Sequence, residues 1–89
     1  MERFNSEEEA FEWLEDNGYS EKPGWREFAK ALVGITTDDR LVYSYERIVE
    51  CLMETDNMSD EDARDYVDYN VVGSLNPHIE ESPVIIHEI

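Results

Sequence analysis

Apolar residues recur at helical spacing along most of the chain, and start and stop residues mark off four such runs. In the first, Ala10, Phe11 and Leu14 share a face, with Trp13 beside them. Ser6 with Glu9 makes a capping-box pattern, and Asn17-Gly18 is a C-terminal stop. A helix is predicted from about Glu7 to Asn17. In the second, Pro23 suits a first turn, where its missing N–H costs little, and Trp25, Phe28, Ala29 and Leu32 mark an apolar face that Gly34 closes. The two runs predict a helical hairpin over residues 1–34 that buries each tryptophan wholly or in part. The third and longest opens at Thr37, with Asp38 and Asp39 suited to the positive end of the helix dipole. Leu41, Tyr45, Ile48, Val49 and Leu52 form its stripe, with Val42 and Met53 at the margin. The β-branched residues and tyrosines also fit a strand around Leu41 to Tyr45, but periodicity continuous to Met53 favours helix.

After a turn at Asp56-Asn57, Ser59 caps the fourth run, with Asp62 three residues on. Ala63, Tyr66, Val67 and Val71 are predicted to face inward, with Asn70 on the same face. This helix should fade between Gly73 and Leu75, before Asn76-Pro77. Residues 37–75 thus read as two longer helices. The tail changes character: Pro83 followed by Val84, Ile85 and Ile86 predicts a short extended segment over residues 83–89. A lone strand leaves backbone groups unpaired, so it must dock on its own domain or pair with another chain, and docking is favoured. The fold class is therefore mainly α: about four short helices around one small core, with a short C-terminal β or extended segment.

Composition sharpens this picture. At 89 residues one domain is the default, with a core of limited size. A hydrophobic content of 40% with 11% aromatics argues for packing rather than an acidic disordered tail. The formal net charge of −16 is the outstanding feature. It argues against direct contact with nucleic acid or anionic membranes and favours a basic protein surface as partner. Acidity has a plainer use too, in solubility or high salt, and Lys22 and Lys30 are the sole lysines. The single cysteine, Cys51, excludes an intrachain disulfide, and no run can span a bilayer. With no signal-peptide core near the start, a cytoplasmic protein is expected.

Catalytic equipment is missing from the pattern. No Ser-His-Asp or Cys-His-Asn set can be inferred, and no glycine-rich phosphate loop is present. "DNMSDEDARD" looks like a calcium loop, but Met58 falls where an oxygen ligand is needed and the turn glycine is lacking. His78 and His87 are too few and too isolated for zinc, and Cys51 reads as a small core residue. The tyrosines and tryptophans read first as core, with polar tips reaching water. Neither enzyme activity, metal nor cofactor is expected.

The carboxylates themselves are ordered. Glu8, Glu12 and Glu15 recur along the first helix, Glu46, Glu50 and Glu54 along the third, and Glu61, Asp65 and Asp68 along the fourth. Like charges four residues apart destabilise a helix by about 0.2–0.5 kcal/mol per pair, and the dipole favours acids only in the first turn. Positions four apart rise by about 6 Å, close to the spacing of neighbouring phosphates on one nucleic-acid strand. Such rows would present a DNA-like face to a basic groove. The apolar Val84, Ile85 and Ile86 are the candidate association segment for a partner sheet or a second copy.

The run "YSYERIVECLMETDNMSDEDARDYVDYN", followed by "SPVII", resembles a type of short hypothetical protein found in phages, prophages and bacterial genomes. The matching positions are Tyr45, Glu46, Arg47, Met58, Ser59, Glu61, Asp62, Ala63, Tyr69, Asn70 and Pro83, over roughly the last half of the chain. The resemblance implies an origin on a phage or mobile element rather than a mechanism. In that setting host nucleic-acid enzymes, including CRISPR effectors and restriction systems, are natural targets. Two functions are expected to compete. One is a non-catalytic inhibitor or adaptor that binds a basic partner through its acidic face. The other is a structural or assembly module, acidic only for solubility or salt, that associates through its C-terminal segment.

Overall fold

The computed structural model describes residues 4–75 and 81–89. Helix α1 spans Glu7–Asp16, and a 3-10 segment covers Arg26–Ala31. Strands β1 (Leu32–Ile35) and β2 (Leu41–Ser44) follow. Helix α2 runs Tyr45–Thr55 and α3 runs Asp60–Tyr66, continuing through a π turn, Val67–Val71, into a 3-10 turn, Val72–Ser74. Strand β3 is Val84–Ile86. Helical segments hold the larger share, as the periodicity predicts, but a three-stranded sheet takes a part that the sequence reading did not assign. The stop at Asn76-Pro77 and His78 lie outside the described residues.

Local chemistry accounts for α1. The Ser6 side chain accepts from the Glu9 N–H at 3.2 Å, and the Glu9 carboxylate reaches back to the Asn5 N–H at 3.4 Å. At the other end the Tyr19 N–H bonds the Leu14 carbonyl and the Gly18 N–H bonds that of Glu15, a Schellman closure. Gly18 sits at φ +80°, which a side chain would resist.

The second and third predicted helices are corrected. Only Arg26–Ala31 of the second is helical, and as a 3-10 segment, so residues 1–34 hold no pair of α-helices. Gly24 explains the approach. A Cβ there would collide with the Tyr43 hydroxyl and lie 2.8 Å from Leu41 Cδ1, so the chain passes flat against β2. The Trp25 N–H then donates to the Tyr43 hydroxyl at 3.1 Å. Gly34 is no helix stop but sits in β1 beside an irregularity in the β1–β2 pairing. The rejected strand around Leu41 is real: Leu41 and Tyr43 are buried and Val42 is half-buried, a period of two. Ser44 ends β2 and at once caps α2, its side chain accepting from the Arg47 N–H at 3.4 Å. The turn between the strands is held by Thr36, whose Oγ1 accepts from the Arg40 N–H at 2.8 Å, with Asp39 at φ 64°.

The sheet order is β1-β2-β3. Strand β1 pairs antiparallel with β2, Leu32 opposite Tyr43 and Ile35 opposite Leu41. Strand β3 pairs parallel with β2, Val42 opposite Val84 and Ser44 opposite Ile86. A parallel pair needs a long crossover, and α2 with α3 supply it. The core lies between sheet and helices: Leu14, Phe28, Leu32, Leu41 and Tyr43 meet Tyr45, Ile48, Val49, Leu52, Ala63, Val67 and Val71. Cys51 is buried within it. Fully burying side chains of the Val or Leu class contributes about 1.5–3 kcal/mol each. The tryptophans stay nearer the surface: Trp13 stacks on Tyr19 at 6.1 Å, and Trp25 meets Tyr43 edge-on at 5.2 Å.

Candidate acidic interaction surface

The three carboxylate rows fare differently. Glu8, Glu12 and Glu15 lie exposed on α1 with no hydrogen-bond or ion-pair partner among the described residues. On α2, Glu46 Oε2 lies 3.4 Å from His87 Nδ1, and Glu54 Oε2 lies 3.5 Å from Lys30 Nζ. Glu50, exposed between them, is not free either. On α3, Glu61 and Asp65 are exposed and without partners among the described residues. The third member of that row, Asp68, is also exposed, and its Oδ1 accepts from the Tyr45 hydroxyl at 2.7 Å, a bond that leaves its charge in place.

All but one of the described lysines and arginines are ion-paired inside the chain. Lys22 Nζ pairs with Glu81 at 2.7 Å, and this bond holds the Lys22 amine above its ordinary range. Arg40 pairs with Asp38 at 3.2 Å, Arg47 with Glu88 at 3.0 Å, and Arg64 Nε with Asp60 at 2.5 Å. The Thr36 hydroxyl and Arg40 together hold the Asp38 carboxyl below its ordinary value. Arg26 lies over the Phe11 ring, 5.2 Å from its centroid. Arg26, packed on Phe11 of α1, is the one lysine or arginine without a carboxylate partner among the described residues, a single charge against the three of Glu8, Glu12 and Glu15, and no described cation pairs with Glu61 or Asp65.

The C-terminal segment is built into the fold. Val84, Ile85 and Ile86 are half-buried and pair with β2, which makes β3 one of the two edge strands, with β1 at the other side. The Arg47–Glu88 pair fastens the residues that follow, and His87 packs on the Tyr45 ring at 4.7 Å. What remains open to a partner is the outer edge of β3, not its faces in full.

The described residues hold no group of three or more His, Cys, Asp or Glu placed to bind a metal. Burial pushes the Cys51 thiol above its ordinary range, away from the reactive thiolate. The clefts are small and open. One of about 140 Å³ lies beside Trp25, Phe11 and Tyr43, and one of about 290 Å³ beside Arg47, His87 and Glu88. Neither reaches the usual size of a small-molecule site. No helix of the described residues is long and apolar enough to cross a membrane.

The sequence reading missed one surface. Tyr66 was expected inward but is 41% exposed, Tyr69 is 85% exposed and Val72 40%. Asn70, also expected inward, is exposed. The inward residues are Ala63, Val67 and Val71, at steps of four. In an α-helix of 3.6 residues per turn each such step drifts by about 40°. The wider π turn at Val67–Val71 removes that drift, keeps all three on the core and sends the tyrosines outward. The spacing of Tyr66, Tyr69 and Val72 against that of Ala63, Val67 and Val71 was the available signal.

No family model, no curated protein and no solved structure matches the chain.

Proposed function

We propose that the chain is a non-catalytic acidic binding protein, encoded by a phage or mobile element, that acts in the bacterial cytoplasm on a basic, nucleic-acid-binding host protein. It is an inhibitor or adaptor, and CRISPR or restriction components are the partner class that the phage resemblance suggests. The observation that carries this reading is the fate of the cations. Lys22, Lys30, Arg40, Arg47 and Arg64 are ion-paired within the chain and Arg26 packs on the Phe11 ring, while Glu8, Glu12 and Glu15 on α1, with Glu61 and Asp65 on α3, stay exposed and unpaired among the described residues. Rows of unneutralised like charge cost folding energy, and a basic partner turns that cost into attraction through counterion release and steering. Within the α1 row Glu8 and Glu12 stand four residues apart, a rise of about 6 Å that suits a groove built for phosphates, and Glu15 follows at about 4.5 Å. Affinity capture from a bacterial lysate tests this. The parent chain should retain a basic nucleic-acid-binding protein at low salt and lose it as salt rises. A variant with Glu8, Glu12, Glu15, Glu61 and Asp65 changed to Lys should retain none. Equal capture by both would refute the reading.

A second reading rests on β3. As an edge strand it has one side unpaired among the described residues, the setting for strand addition by a partner of an assembly module. Two copies of a chain with net charge −16 repel, so a different, less acidic chain fits that edge better. Under this reading binding would tolerate salt and be lost on deleting Pro83 to Ile89.

A further inference from the structure

Resting on the acidic-binding reading, we propose that the outer face of α3 and its π continuation recognises arginine in the partner, in preference to lysine. Tyr66, Tyr69 and Val72 follow one another at steps of three and are all exposed. Neither tyrosine ring stacks on another aromatic group, and neither hydroxyl has a partner among the described residues. Each ring has a carboxylate four residues before it: Asp62 before Tyr66, and Asp65 before Tyr69. Positions four apart are neighbours on a helix, and side chains lean toward its N-terminus, which puts Asp62 within reach of a cation seated on Tyr66, and Asp65 on the turn below Tyr69. Both acids are exposed, with no cation on either carboxylate among the described residues.

A ring beside a carboxylate is a seat for a guanidinium, and the chain already fills one. Arg64 lies over the Tyr45 ring at 5.8 Å while its Nε bonds Asp60 at 2.5 Å. The outer face offers the same two chemical partners, an exposed ring and an unpaired carboxylate, at two places along one helix. Guanidinium is planar, weakly hydrated and forked, so it can stack on the ring and bond the acid together. A lysine ammonium is compact and strongly hydrated and gains less from the ring. Charge selects against the other occupants: a second copy and nucleic acid both bring negative charge to a negative face. The occupant is thus an arginine-bearing segment of a basic protein.

The test titrates the full chain with an oligoarginine and an oligolysine peptide of equal length at low salt. The parent should bind oligoarginine roughly 4–25-fold more tightly, at about 2–5-fold for each of two stacked guanidiniums. The Tyr66 and Tyr69 ring resonances should shift on binding. The double variant Tyr66→Leu, Tyr69→Leu should lose the preference while its oligolysine affinity stays put. Charge reversal of Glu8, Glu12 and Glu15 should weaken both peptides and preserve the ratio. Equal parental affinities, unmoved ring resonances, or a ratio that survives the double variant would each overturn the arginine proposal and leave the acidic-binding reading standing. Failure of both peptides to bind would remove the two together.

Discussion

The Tyr45 hydroxyl donates to Asp68 Oδ1 at 2.7 Å, joining the first residue of α2 to the π turn that extends α3. Tyr45 is buried, and the bond ties it to an acid that stays exposed. Tyr45→Phe keeps the ring, its packing on His87 and the Arg64 stack while deleting the bond. Because Asp68 lies at the exposed margin and can be hydrated, the expected loss is about 1–1.5 kcal/mol of stability, read by urea unfolding.

The same contact sets an alkaline limit. Burial, reinforced by the bond to Asp68, raises the Tyr45 phenol above its ordinary value of 10.0, and burial raises Tyr43 likewise. A group whose pKa is raised on folding favours the protonated form in the native state. Its contribution is therefore complete below pH 10, the unfolded value, and is lost as pH climbs through the higher folded value. Melting temperature should fall as pH rises beyond about 10, and the fall should be shallower in Tyr45→Phe.

How far the sequence spoke depends on how local the signals were. Helix α1 was readable to within a residue because Ser6, Glu9 and Gly18 act on backbone groups next to them. Strand β2 was not, because Leu41, Tyr45 and Ile48 happen to fall at helical spacing across the boundary at Ser44, and no loop separates strand from helix. Gly34 reads as a stop where only its strand partner, Val42, reveals its place. The parallel pairing of β3 depends on a crossover through two helices, which no periodicity encodes. At the surface, the exposure of Glu8, Glu12 and Glu15 was legible. The bond from Tyr45 to Asp68 and the exposure of Tyr69 were not, since both follow from the π turn.

Gly24 offers a test of the flat approach to β2. Gly24→Ala would push a methyl group into the Tyr43 hydroxyl and the Leu41 side chain, both belonging to buried residues. A loss of about 1–3 kcal/mol is expected, with the Trp25 N–H bond to Tyr43 broken. Thermal unfolding together with near-ultraviolet circular dichroism of Trp25 and Tyr43 checks it.

Net charge of −16 on 89 residues should show in the fold itself. Sodium chloride screens the repulsion among the exposed carboxylates, so melting temperature should rise by a few degrees between low salt and about 0.5 M. Neutralising the α1 row with Glu8→Gln, Glu12→Gln and Glu15→Gln should reduce that rise.

The central claim is that the unpaired carboxylates of α1 and α3 are there for a basic partner. The most direct measurement is the slope of log Kd against log salt for the captured partner, taken for the parent chain and for the variant with Glu8, Glu12, Glu15, Glu61 and Asp65 changed to Lys. The account predicts a steep loss of affinity with salt for the parent and no measurable binding by the folded variant. An affinity indifferent to salt, or a variant that binds as the parent does, would contradict it.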